Sequence, residues 1–209
     1  MIEKYKHIIW DWNGTILNDV ALCVELINQL LEPRGLQSLT IETYRKAFTI
    51  PVKNYYANIG FDFEKESFEV VGKHWMDEYE RRKFESGLYE GILNTLDSIH
   101  ANGIGQSILS AYSQHTLDEL VEHYNLKKYF THVIGLDNIY AAGKLHLGKK
   151  LMQLLGNGKG ETLIIGDTVH DFEVASEIGA DCVLICDGHQ DKQVLQQCRV
   201  PVLNNISEL

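Results

Sequence analysis

Five side chains able to do chemistry stand just past short apolar runs or in the loops between them. Asp11 follows "HIIW", Ser110 ends "GQSILS", Lys144 lies in "AAGK", and Asp167 and Asp171 fall within "GDTVHD". Asp11, Asp167 and Asp171 offer hard oxygen ligands of the kind that suits Mg²⁺. Carboxylates brought together repel one another unless a cation or a proton sits among them. Ser110 and Lys144 can donate to phosphate oxygens, with Lys144 also balancing negative charge. Gly14 and Thr15 add a tight turn and a hydroxyl beside Asp11, where free backbone N–H groups can hold an anion. Taken singly, each feature has an ordinary structural meaning: a turn after a strand, or an N-cap before a helix. The conjunction, each member at a strand end and in this order, points to one ligand cleft.

The elements that must position these groups read as α/β. The runs "HIIW" (7–10), "GQSILS" (105–110), "THVIG" (131–135), "TLIIG" (162–166) and "CVLIC" (182–186) are continuously apolar, as strands covered on both faces are. Helical patterns alternate with them: "VALCVELINQLLEPRG", stopped at Gly35, then "ILNTLDSIHANG", "QHTLDELVEHYNL", "LGKKLMQLLG" and "DFEVASEIG". That alternation predicts a parallel sheet with right-handed crossovers. In such sheets ligands bind beyond the carboxyl ends of the strands. Residues 18–87 break the rhythm with helical stretches and no strand, so they are predicted to form a helical cap inserted into a core of 1–17 and 88–209. Within it "ERRK" (80–83) reads as a solvated helix face rather than an anion patch.

Composition narrows the class. The chain has 209 residues, 44% hydrophobic and 23% charged, with 29 acidic against 19 basic residues and a net charge of −10. That length holds one domain with a sizeable insertion. The acidic balance disfavours a nucleic-acid partner, yet a local cluster can still reverse the field within one cleft. Cys23, Cys182, Cys186 and Cys198 show neither metal nor disulfide spacing and read as small buried residues. No signal peptide or membrane span is evident, so the expectation is a cytoplasmic monomer or homodimer.

These motifs resemble the haloacid dehalogenase superfamily, specifically its phosphoglycolate phosphatase-like branch with a helical cap. "DWNGT" is similar to the family's D-x-D-G-T, Ser110 to its strand-end Ser/Thr, Lys144 to its Lys, and "GDTVHD" to its G-D-x-x-x-D. The resemblance spans nearly the whole core; the cap matches only in position and helical character. It implies a Rossmann-like parallel sheet and a Mg²⁺-dependent attack by Asp11 on the phosphorus of a small phosphorylated metabolite. An aspartyl-phosphate would follow. It also implies metal ligation by Asp11, the Asn13 carbonyl, Asp167 and Asp171, with Ser110 and Lys144 holding the transferring oxygens. Gly14, Thr15, Ala111 and Lys53 would face the substrate.

Asn13 departs from the family, where an acid here protonates the leaving group and later activates water. Positioned acid–base catalysis is worth typically 10²–10⁴-fold, and an amide supplies none. Three readings follow: a phosphatase selective for good leaving groups, a phosphonate hydrolase forming a Schiff base on Lys53, or a weak phosphate-binding regulatory relative. Dehalogenase chemistry needs no metal, so the retained Asp167 and Asp171 speak for Mg²⁺. His170, inside the last motif, reads as a surface histidine rather than a replacement base. An acid placed at 13 is expected to fit without disturbing packing.

Overall fold

The computed structural model describes residues 2–137 and 143–209. Six parallel strands form one sheet in the order β5-β4-β1-β6-β7-β8: β1 (His7–Trp10), β4 (Gly105–Ser113), β5 (His132–Leu136), β6 (Thr162–Gly166), β7 (Asp181–Ile185) and β8 (Val202–Leu203). β1 lies at the centre, and Trp10 is in register with Ile108 of β4 and Ile165 of β6. β1 and β6 therefore end side by side, while β4 runs past that level to Ser113, so that Ser110, expected at its end, lies within it. Ile8, Trp10, Ile108 and Ile165 face one apolar core, while Ile9, Leu109, Ile164 and Leu184 face a second. Both faces are dry, which is why the strands read as unbroken apolar runs instead of alternating ones.

The sheet is wrapped by α5 (Ile92–Ala101), α6 (Gln114–His123), α7 (Leu145–Leu155), α8 (Val169–Ile178) and the short α9 (Lys192–Gln196). The helical insertion contains α1 (Val20–Leu31), α2 (Ile41–Ala47), α3 (Val52–Asn58) and α4 (Phe68–Arg82). α1 ends at Leu31, earlier than its apolar pattern suggests, because Pro33 enters a following 3₁₀ turn. Gly35 closes that turn at φ 66°, a left-handed conformation that suits glycine.

Three elements were not legible as strands. β2 (Leu17–Asn18) pairs antiparallel with β3 (Gly87–Leu88), a two-residue ribbon where the helical insertion leaves and rejoins the core. β8 is likewise two residues long. Such short pairs carry no periodicity to read. The expectation for "ERRK" is also corrected: Arg82 binds Glu25 and Glu85, and Lys83 binds Glu80 and Glu119, with both basic side chains largely covered. Glu80 also accepts from Tyr112 at 2.6 Å and Thr116 at 3.1 Å, tying α4 to the core.

His7 shows how closely the sheet is packed. Its Nε2 lies 2.8 Å from Ser107 Oγ, and a Cβ on Gly105 would come within 2.4 Å of its ring. Burial, helped by His132, lowers its pKa to about 4 from 6.5. The folded state thus holds His7 neutral, while the unfolded chain takes up a proton below pH 6.5. Stability from this group is full above pH 6.5 and falls as the pH approaches 4. At 1.36 kcal/mol per unit the loss is roughly 3 kcal/mol. Urea denaturation at pH 7 and pH 4.5 is expected to show this drop, and His7→Gln is expected to shrink it; an unchanged pH slope in the variant would contradict the assignment.

Candidate active site

The site starts where β1 ends. Asp11 N still donates to Ile165 O at 2.9 Å, so the carboxylate leaves a strand end that remains tied to β6. The chain then folds back tightly, with the amides of Thr15, Ile16 and Leu17 all directed at Trp12 O. Gly14 takes φ 73°, and a Cβ there would fall 2.3 Å from Asp167 Oδ2. Only glycine permits this approach. Thr15 Oγ1 donates to Asp167 Oδ1 at 3.1 Å, so the first and last motifs touch directly.

Asp167 follows β6, and Asp171 lies one turn into α8. Asp171 Oδ2 accepts from the amides of Asp167 and Thr168 and from the Thr168 hydroxyl, at 3.2, 3.0 and 2.7 Å. Its Oδ1 is paired with the Lys144 ammonium at 2.6 Å. Lys144 also ion-pairs with Asp11 Oδ1 and donates to Leu109 O at 2.9 Å. Ala141 and Ala142 of the "AAGK" loop lie outside the described residues. Ser110 is buried, with its Oγ accepting from Tyr112 N at 3.1 Å, beside an irregularity in the pairing of β4 with β5. Ser110 and Ala111 both line the same cavity as the carboxylates.

The balance of charge is tight. Burial pushes the Asp11 carboxyl up, against the pull of Lys144 and reinforced by Asp171 and Asp167. Asp167 is raised chiefly by burial too. Burial also works against the charge of Asp171, but Lys144 together with the Thr168 hydrogen bonds outweighs it and holds that carboxyl below its ordinary value. Lys144 pairs with Asp11 and Asp171 and the His189 charge opposes that of Asp167, while oxygens of the three buried carboxylates lie within 4.8 Å of one another. Three hard oxygen donors gathered at this spacing fit a divalent cation such as Mg²⁺. Removing one partner of a buried ion pair costs about 3–5 kcal/mol. Lys144→Met is therefore expected to unfold that much more easily in chelator, with Mg²⁺ restoring part of the loss. Denaturation midpoints with and without the ion check this; a variant as stable as the parent in chelator would contradict it.

Asn13 belongs to a second network. Its Nδ2 donates to Asp19 Oδ2 and to the Tyr79 hydroxyl, both at 2.8 Å, and Tyr79 donates to Asp19 Oδ2 at 2.7 Å. Asp19 Oδ1 accepts from Gly14 N at 3.0 Å and faces His189 Nε2 at 3.2 Å. His189 Nδ1 lies 2.8 Å from the Tyr44 hydroxyl, and its backbone N donates to Asp167 Oδ2 at 2.6 Å. Burial works against the imidazolium, but Asp19, with Asp167 and Asp11 beyond it, raises His189 to about 9. Cys23 also approaches Asp19 and His189, yet the Asp19 oxygens already have their donors, so this cluster satisfies itself.

Asp19, Tyr79 and His189 escaped the sequence reading. Asp19 stands before α1 where an N-cap is the ordinary meaning, but its side chain makes no capping bond. His189 was findable, because "DGHQ" follows β7 at the same sheet edge as the acids. Tyr79 is interior to a helix and gave no signal. Two expectations are corrected. His170 is not a surface residue: its side chain is 15% exposed, lines the cavity, and its Nε2 accepts from Lys144 N at 3.4 Å. An acid at position 13 would fit the volume but not the bonding, since it would lose both donors and set a carboxylate against Asp19.

A carboxyl at 13 beside Asp19 has its pKa raised above the unfolded value near 3.9. The resulting penalty is small at low pH and grows as the pH rises through the raised folded value. Asn13→Asp is expected to lose about 1–3 kcal/mol, more at pH 8 than at pH 5 in denaturant titrations. Equal stability at both values would show that the position is less confined than its bonds indicate.

Asp11, Asn13, Ser110, Ala111, Lys144, Asp167 and Asp171 line a cavity of about 650 Å³ between core and helical insertion. Gly14 and Thr15, expected to face the substrate, do not line it: the Gly14 amide serves Leu17 O and Asp19, and the Thr15 hydroxyl serves Asp167. Lys53 joins the cavity lining, but is exposed, with its ammonium 5.7 Å over the Phe63 ring and 6.0 Å over Phe68. The insertion is held against the core here: Arg45 donates to Gly188 O at 2.7 Å, and Gln190 Nε2 to Phe48 O at 3.1 Å.

A strand-end carboxylate site under a helical cap, on this sheet order, defines a class of hydrolase. Residues 8–185 match the haloacid dehalogenase-like hydrolases, and the chain belongs to that family. A phosphoglycolate phosphatase of Aquifex aeolicus is 25% identical over 87% of this chain and 85% of its own. One from Aliivibrio fischeri is 22% identical, covering 98% and 94%. Among solved structures, a haloacid dehalogenase-like family protein from Streptococcus pneumoniae superposes with a TM-score of 0.79 at 18% identity, covering 100% of this chain and 97% of that one. No helix among the described residues is long and apolar enough to cross a membrane.

Proposed function

We propose that this chain is a Mg²⁺-dependent phosphatase that hydrolyses a small phosphate monoester through an aspartyl-phosphate on Asp11. The observation that carries this reading is the convergence of Asp11, Ser110, Lys144, Asp167 and Asp171 on the floor of one cavity. The phosphoglycolate phosphatases among its relatives support a phosphomonoester as substrate. The proposal includes a cap of residues 18–87 over a core of 1–17 and 88–209, in a cytoplasmic monomer or homodimer acting on a free metabolite.

Lys144 holds Asp11 Oδ1, which fixes the carboxylate and leaves its second oxygen to attack phosphorus. The Ser110 hydroxyl and the Lys144 ammonium hold the phosphoryl oxygens, and positioning of this kind supplies most of catalysis in phosphoryl transfer. Asp11, Asp167, Asp171 and the Asn13 carbonyl would hold the cation, which when bound screens charge between nucleophile and phosphate. The aspartyl-phosphate is then cleared by water, restoring Asp11. The cap contacts keep solvent from the site during transfer. Schiff-base cleavage of a phosphonate calls instead for an amine desolvated at the carboxylate floor, and Lys53 is exposed.

Phosphate release from an activated phosphate ester is expected to require Mg²⁺ and to stop on chelation. Asp11→Asn, which keeps the shape, is expected to lower turnover by at least about 10³-fold while the circular dichroism spectrum stays unchanged. Turnover that survives in that variant would remove Asp11 as the nucleophile.

A further inference from the structure

We propose that the substrate is the phosphate monoester of an aromatic alcohol, a phenol, whose ring lies against the apolar wall of the cap. The inference rests on the phosphatase reading above and narrows it to a chemical class. Two independent features of the site carry it.

The first is the shape and chemistry of the cavity. Above the carboxylate floor its walls are apolar, with Phe48, Val52, Phe68, Trp75 and Met76 among them. At about 650 Å³ it falls in the range that encloses a ligand of drug-like size, and a two-carbon acid would leave most of it empty. A second carboxylate on the substrate would need a fixed cation. Among the described residues no arginine lines the cavity. Of the two cap lysines in the lining, Lys73 is paired with Asp77 at 2.6 Å, and Lys53 is exposed with its ammonium over the Phe63 and Phe68 rings. An aromatic ring meets these walls without leaving a polar group unpaired, and aromatic partners there give favourable edge and offset contacts.

The second is the leaving group. Both Nδ2 bonds of Asn13 point away to Asp19 and Tyr79, and the Tyr79 proton is itself given to Asp19. Neither residue has a proton to hand to a departing oxygen, the His189 ring nitrogens are engaged by Asp19 and the Tyr44 hydroxyl, and His170 Nε2 accepts from Lys144 N. A phenolate, with a conjugate acid near 10, as for tyrosine, leaves without one; an alkoxide, closer to water at about 15.7, does not. The step balances simply. Asp11 forms a bond to phosphorus as the phosphorus–aryl oxygen bond breaks, and the phenolate takes its proton from solvent. Water then releases phosphate, for a net conversion of aryl phosphate and water to phenol and phosphate.

The test compares kcat/KM of the intact protein with Mg²⁺ on 1-naphthyl phosphate, phenyl phosphate, acetyl phosphate and phosphoglycolate. Acetyl phosphate has a good leaving group but no ring, so it separates the two features. The expected order is naphthyl above phenyl, with both at least about tenfold above acetyl phosphate, and phosphoglycolate lowest. Val52→Asp is expected to narrow the naphthyl-to-acetyl ratio at least about fivefold, with the thermal midpoint read alongside. Inhibition by phenylphosphonate, tighter than by methylphosphonate, gives a check in the parent protein that needs no variant. Acetyl phosphate or phosphoglycolate turned over faster than the aryl esters would overturn the substrate class and leave the phosphatase standing. No turnover of any of the four would overturn both.

Discussion

The structure turns on one ammonium. Lys144 reaches from the start of α7 to Asp11, Asp171 and the Leu109 carbonyl, so it ties β1, β4 and α8 together at the sheet edge. Three buried carboxylates packed within a few ångströms would otherwise repel one another or take up protons. The glycines around them follow from the same constraint. A Cβ at Gly166 would lie 2.2 Å from Asp171 Cγ, and one at Gly188 would lie 2.2 Å from Asp167 Oδ2. The backbone closes over the acids because no side chain stands between.

The floor was legible in the sequence because strand ends announce themselves. An apolar run covered on both faces has one way to stop, and whatever polar residue follows it at the carboxyl end faces the ligand cleft. Asp11 and Asp167 obey that rule; Ser110 lies inside β4, at the irregularity where its pairing with β5 shifts, and the shared register of Trp10, Ile108 and Ile165 brings it beside them. The helical cap was legible as a loss of rhythm, since the 3.6-residue pattern of α4 persists where no strand interrupts it.

What the sequence hid were contacts between distant segments. Tyr79 reaches Asn13 across 66 residues, and Tyr44 reaches His189 across 145. No local pattern encodes such pairs. "ERRK" failed for a related reason: a charged run reads as solvated only while its partners are unknown. Glu25, Glu80, Glu85 and Glu119 turn it into an ion-paired seam between α1, α4 and α6. The two-residue strands β2, β3 and β8 are shorter than any period that could reveal them.

Charge bookkeeping across both networks gives Asn13 a reason beyond the absence of an acid. Asp11, Asp19, Asp167 and Asp171 are four buried carboxylates, faced by the Lys144 ammonium and the His189 imidazolium. In their ionised forms they leave two negative charges uncovered, which is what one divalent cation supplies. A fifth carboxylate at position 13 would fall outside that balance, 2.8 Å from an Asp19 oxygen that already serves Tyr79. It would have to keep its proton to be tolerated there. The amide satisfies the same geometry with two donated hydrogen bonds and no charge. Stability of this buried carboxylate cluster and possession of a proton shuttle are therefore in competition at this residue, and this chain resolves the competition toward stability. A substrate that departs without help is the chemical counterpart of that choice.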